Sequence, residues 1–163
     1  MSDDPGKDAL RMMPYGFYSI TSRHGDEKNI MVANWVMQTS FEPRYVAVGL
    51  QQTSYTHKLI EDGKVFAINI FNNSDVEAIK PFTKSREKNP NKVEDATFQD
   101  GLKTGCPILN DAAAFLECKL IEVMNIGGDH DIVIGEVIGA GVMKPGDSSV
   151  TLTLSDIGWS YAG

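Results

Sequence analysis

Six short runs of β-branched and aromatic residues, each bounded by turn formers, constrain the fold of this chain more than any other feature. They cover residues 15–22, 30–36, 45–50, 65–71, 132–138 and 150–154. Short strands of this kind are stable only side by side over a shared core. The first two flank a polar stretch from Arg23 to Asn29 that contains Gly25-Asp26, and they read as a hairpin. Pro43 marks a loop boundary before the third. Residues 112–124 keep no clean period of either kind. Gly127-Gly128 then bends into a certain strand, so residues 115–124 are predicted as a strand as well.

Helix signals are brief. One helix is predicted over 56–62, ending at Gly63, and another over 74–80, stopping at Pro81. From Thr83 to Lys103 the chain is polar and charged and reads as a long surface excursion, a length that is usually functional or disordered. Many short strands with two small helices predict an all-β fold, a closed antiparallel barrel with helical connections. The 163 residues suffice for one domain, 1–163, with residues 1–13 outside the barrel or on its edge.

Composition removes several function classes. The net charge of −7 argues against nucleic acid or an anionic membrane as the main partner. No apolar run approaches the roughly 20 residues of a membrane-spanning helix, and the acidic start offers no secretory signal. Two cysteines, Cys106 and Cys118, fit a reducing cytoplasm. Gly139-Ala140-Gly141 runs into Pro145, which forbids the helix a dinucleotide fingerprint requires, and no P-loop or nucleophile elbow is present. His24, His57, His130 and the two cysteines lack metal-site spacing, so no metal is expected.

Three stretches carry candidate chemistry. From Ala33 to Ser40 a strand end dissolves into amides and hydroxyls beside Trp35, surroundings suited to a planar heteroaromatic ligand. A sheet edge with a packed Trp35 is the simpler reading of those residues alone. Gln51 to Lys58 opens a helix with hydroxyls and free N–H groups apt for a phosphate, and equally for a capping box with Thr56 as cap. Phe82-Thr83-Lys84-Ser85-Arg86 holds two cations and two hydroxyls in one loop, again apt for a phosphate, although solvated charged loops are the ordinary case. His130, after Gly128-Asp129, sits at a hairpin rim, where most histidines are surface residues. Glu136, further along that strand, reads as outward-facing and without a role.

In order along the chain stand residues 15–22, Asn34-Trp35 with Gln38-Thr39-Ser40 and Glu42-Pro43, Ser54-Tyr55-Thr56-His57, Phe66-Ala67-Ile68-Asn69, Leu116-Glu117-Cys118, and Gly128-Asp129-His130 with Gly135-Glu136-Val137. Together they resemble the flavin reductase family, and more narrowly its flavoredoxin and ferric-reductase-like members. The resemblance runs from about Tyr15 to the C-terminus. It implies an FMN-binding split β-barrel of Greek-key type that forms a homodimer. By the same resemblance the ring-lining segment matches Asn29, Met31, Val32, Ala33, Asn34 and Trp35, with Gln38, Thr39 and Ser40 just beyond. The phosphate and ribityl segment matches Gln51, Ser54, Tyr55 and Thr56, and a later loop matches Thr83, Lys84, Ser85 and Arg86. The histidine associated with the nicotinamide matches His130. The sequence departs from the family at Ile30, where Gly is frequent, and at Trp35, where a small polar residue is common.

The function so implied is an NAD(P)H:flavin oxidoreductase in the cytoplasm. NADH or NADPH is the donor, FMN the flavin with FAD as the alternative, and free flavin, a ferric chelate, a monooxygenase or another redox protein the acceptor. A flavoredoxin-like FMN carrier without reductase activity is the second reading, and a flavin-binding module without turnover the third. A flavin needs a dry wall, amide partners and phosphate donors, and it does the redox chemistry itself.

Overall fold

The computed structural model describes residues 2–161. In chain order the elements are α1 (Pro5–Leu10), β1 (Tyr18–His24), β2 (Glu27–Ala33), β3 (Val36–Ser40), β4 (Tyr45–Gln51), α2 (Tyr55–Gly63), β5 (Val65–Ile70), α3 (Val76–Ile79), β6 (Phe98–Asp100), β7 (Pro107–Leu109), β8 (Ala114–Met124) and β9 (His130–Val142). Seven strands form one antiparallel sheet in the order β2-β1-β5-β8-β9-β4-β3, and β6 pairs with β7 apart from it.

The connection between β2 and β3 dictates the shape. These strands are the two edges of the sheet, yet only Asn34 and Trp35 separate them in sequence. Six inter-strand spacings of about 4.8 Å would put flat edges roughly 29 Å apart. Two linking residues reach about 11 Å. The sheet therefore has to curl until its edges face each other, and its inner face buries Ile20, Val46, Val48, Leu50, Phe66, Ile68 and Val133. The closed barrel expected from the sequence is not formed. Among the described residues no ladder joins β2 to β3, and the segment around residues 80–87 lies against β2 instead.

Several expectations shift. Residues 36–40, read as a dissolving strand end, are a strand, β3, paired with β4. Residues 150–154 form no ladder strand, but only isolated bridges, Gly16 with Thr153 and Asn72 with Thr151. Leu152 is instead a buried plug, fully enclosed in a second core with Phe17, Phe71, Ile79 and Phe82. The blurred period of 112–124 has a cause: β8 carries irregularities at Glu117/Cys118 and at Leu120/Glu122, and each resets which side chains face inward. Ser54, not Thr56, caps α2, its Oγ accepting from the His57 amide at 3.2 Å. Gly63 is the last residue of α2 and not its left-handed terminator, which is Lys64 at φ 62°. A Cβ on Gly63 would lie 1.9 Å from the Arg23 carbonyl oxygen, so close approach to β1 selects glycine there. The helix expected over 74–80 is a short α3 between two 3-10 turns, with Pro81 at the start of the second. Among the described residues no helix is long and apolar enough to cross a membrane.

Candidate functional site

Three segments far apart in sequence enclose a cavity of about 560 Å³. β2 contributes Asn29, Met31 and Val32. The turn into α2 contributes Gln51, Thr53, Ser54, Tyr55 and Thr56, and the segment after α3 contributes Phe82 to Glu87 and Lys92.

Asn29 is 3% exposed, and its Nδ2 donates to Thr56 Oγ1 at 2.9 Å. Its Oδ1 is buried and has no partner among the described residues. A buried unpaired acceptor costs about 1–3 kcal/mol, which a bound donor would recover. At the start of α2, helix geometry leaves the Tyr55 and Thr56 amides without intrahelical acceptors. With the Ser54 and Thr56 hydroxyls they form a positive rim.

The opposite wall is cationic. The Arg86 guanidinium stacks 4.3 Å over the Tyr55 ring, and the Tyr55 hydroxyl donates to Glu27 Oε2 at 2.6 Å, which holds its phenol above the usual tyrosine range. Arg86 Nη1 is buried, has no hydrogen-bond partner among the described residues and lies 3.8 Å from Glu27 Oε2. Lys92 is 3% exposed and donates to the Lys84 carbonyl at 3.0 Å. Desolvation, with a smaller contribution from the Arg86 charge, brings its ammonium down to about 8. Among the described residues no carboxylate pairs with it.

Of the residues singled out in sequence, Asn29, Met31, Val32, Gln51, Ser54, Tyr55, Thr56, Thr83, Lys84, Ser85 and Arg86 meet in this cavity. Ala33 is instead packed into the barrel core. Asn34 has a buried Nδ2 without a partner but does not line the cavity, and Gln38, Thr39 and Ser40 run along the free edge β3. Trp35 crosses Gly49 of β4 and meets His130 edge-on, ring centroids 4.8 Å apart. His130 is the first residue of β9, opposite Gln51, and its Nδ1 lies 2.7 Å from Asp129 Oδ1. It therefore stands beside the cavity, one strand from its wall.

Thr53 and Phe82, which lie within the candidate stretches, also line the cavity, whereas Glu87 and Lys92 fall outside every stretch singled out in sequence. For Lys92 a signal existed: Val93 and Ala96, among the few apolar residues of that polar run, pack onto the second core and draw Lys92 inward.

The profile of the family described as a flavin reductase like domain matches residues 10–157. The chain belongs to the flavin reductase family. The chain is 28% identical over 151 residues to the ferric-chelate reductase (NAD(P)H) of Archaeoglobus fulgidus, covering 91% of this chain and 86% of that one. It is 31% identical over 137 residues to diflavin flavoprotein A 1 of Synechocystis, where it covers 83% of its own length and spans 24% of that relative. The NADH:FAD oxidoreductase of Streptomyces globisporus superposes with a TM-score of 0.74 at 25% identity, over 87% of this chain and 81% of that one. Family membership makes a flavin the group to test against the cavity, and the residues fit. Met31, Val32 and Phe82 give an apolar wall, Asn29 Oδ1 a waiting acceptor, and the α2 rim with Lys84, Arg86 and Lys92 the donors a phosphate requires.

Proposed function

We propose that this flavin reductase family member is an NAD(P)H-dependent flavin oxidoreductase that holds FMN between β2, the start of α2 and residues 82–92. The observation that carries this reading is Lys92, a buried lysine lining the cavity that pairs with no carboxylate among the described residues. Burying a cation without a counter-charge is costly, and a ligand phosphate supplies one. Lys92 and Arg86 meet the phosphate from one side, and the Ser54 and Thr56 hydroxyls and the helix amides from the other. Asn29 Oδ1 accepts from a ribityl hydroxyl. When bound, the flavin supplies hydride acceptance and onward electron transfer to free flavin, a ferric chelate or a redox protein.

His130 positions the nicotinamide. Asp129 engages Nδ1, which leaves Nε2 for the carboxamide or a phosphate of NAD(P)H, and the T-shaped contact with Trp35 restrains the ring. A second copy of the chain covers β3, whose unpaired edge lies beside exposed Met37 (63%) and Phe41 (87%).

Crowding of His130 by Trp35 favours one rival, an FMN carrier that takes its electrons from a separate reductase. Steady-state oxidation of NADH and NADPH by the purified, FMN-loaded protein separates the two. Turnover with a ferric chelate or free flavin is the expected result. A yellow protein that oxidises neither nucleotide is the carrier.

A further inference from the structure

Every described lysine except Lys92 is exposed or half-buried. A lysine enclosed at a cavity wall can act as a nucleophile as well as a charge. Three observations put Lys92 in that state. No carboxylate pairs with it among the described residues, not even Glu87 on the same cavity wall. Burial, helped by the Arg86 guanidinium, brings its ammonium down to about 8. One N–H donates to the Lys84 carbonyl at 3.0 Å, which fixes the side chain without engaging the lone pair of the neutral amine. At pH 7.5 roughly a quarter of such an amine is unprotonated, against about one in a thousand for an ordinary lysine.

The surroundings select the electrophile. The Ser54 and Thr56 hydroxyls, the amides that open α2 and the unpaired Nη1 of Arg86 are donors suited to a phosphate. A small molecule held by its phosphate reacts with the neighbouring amine only if an activated carbonyl lies close to that phosphate. In an acyl phosphate the carbonyl carbon is two bonds from phosphorus.

We propose that Lys92 is a modification site, acylated by small acyl phosphates that enter the flavin-free cavity and are held there by their phosphate. The Lys92 nitrogen attacks the carbonyl carbon and a C–N bond forms. The bond from that carbon to the phosphate oxygen breaks, its electron pair leaves with the phosphate, and the nitrogen's proton goes with it. The amide product carries no charge. Acylation therefore removes a phosphate-binding cation, and a bound flavin phosphate in turn shields the amine. The inference rests on the reading of this cavity as the place where a flavin phosphate is held.

The flavin-free full chain is incubated at pH 7.5 with acetyl phosphate and, separately, with acetic anhydride, which carries the same acetyl group without a phosphate. Acetylation at each lysine is read by peptide mass spectrometry. With acetyl phosphate Lys92 should react at least about tenfold faster than exposed Lys64, the part of a roughly 200-fold advantage in free amine that survives restricted access. With acetic anhydride that preference should fall by about tenfold, the share due to the phosphate contacts. Inorganic phosphate and FMN should each protect Lys92. Chain acetylated at Lys92 should bind FMN about tenfold more weakly and riboflavin as before. Lys92→Arg, which keeps the charge, should show the same FMN affinity before and after treatment.

A Lys92 that reacts no faster than Lys64, an equal preference with both reagents, or an FMN affinity untouched by acetylation at Lys92 overturns the inference. Rapid acetylation that inorganic phosphate blocks, in a chain that binds no FMN, upholds the modification site and overturns the flavin reading. Slow acetylation in a chain that binds FMN does the reverse.

Discussion

Asn29 and Thr56, 27 residues apart, share a buried hydrogen bond from Nδ2 to Oγ1 at 2.9 Å that ties β2 to the start of α2 and leaves Asn29 Oδ1 at the cavity wall without a partner among the described residues. One amide thus fixes the cavity's shape with its donor and offers a ligand its acceptor. Asn29→Ala should cost about tenfold in FMN affinity, while its cost in stability, measured by denaturant unfolding, should stay at ~1 kcal/mol because loss of the bond to Thr56 is offset by removal of the unpaired Oδ1. Lost stability with wild-type FMN affinity would limit Asn29 to the scaffold.

Ser54 has two jobs that a pair of variants separates. Its Oγ caps α2 by accepting from the His57 amide, and its hydroxyl lines the cavity. Ser54→Ala removes cap and hydroxyl together at about 1 kcal/mol of stability, whereas Ser54→Gly keeps the helix start within a few tenths. Both should weaken FMN by about tenfold and leave riboflavin, which lacks the phosphate, nearly unchanged. FMN binding to Ser54→Gly at wild-type strength would reduce Ser54 to a cap.

Lys92 gives the site a pH dependence of defined sign. Burial lowers its ammonium from the ordinary lysine range to about 8, so the charged form that binds a phosphate is lost as pH rises through 8. FMN affinity should fall above about pH 8, by up to tenfold per unit. Riboflavin affinity should stay flat, as should FMN affinity in Lys92→Gln. Stability of the flavin-free protein should move the other way. Between about 8 and the ordinary lysine value the unfolded chain binds the extra proton, so stability rises with pH. Parallel titrations of FMN and riboflavin from pH 6.5 to 10 check both signs. An FMN affinity flat across that range would remove Lys92 from phosphate binding.

Much of this was legible in the sequence because it rests on local signals. β1, β4, β5 and β9 follow from β-branched runs, and their pairing into one sheet from their number. The residues matching the phosphate segment and the later loop were identified as separate stretches, and the fold brings Gln51 to Thr56 against Thr83 to Arg86 in one cavity. What stayed hidden depends on long-range geometry. The irregular steps of β8 erase its period, and Gly63 answers to the Arg23 carbonyl and not to its own helix. Leu152 looks like part of a strand because a buried plug and a buried strand share the same apolar composition. Ala33 and Trp35 belong to a segment matched to the flavin by resemblance, but β2 turns Ala33 into the core, and Trp35 lies beyond its end against His130.

In the proposed function NAD(P)H reduces a flavin held in this cavity with help from His130. Anaerobic rapid mixing of the FMN-loaded protein with NADH and with NADPH, following bleaching of the flavin band, tests it most directly when wild type and His130→Ala are compared. Wild type should be reduced by at least one nucleotide. His130→Ala should be reduced on the order of 100-fold more slowly, the cost of about 1 Å of misplacement, with FMN affinity within about twofold and reoxidation by ferric chelate unchanged. Wild-type flavin that neither nucleotide bleaches contradicts the reductase reading, and a His130→Ala variant reduced at the wild-type rate by both donors contradicts the place given to His130.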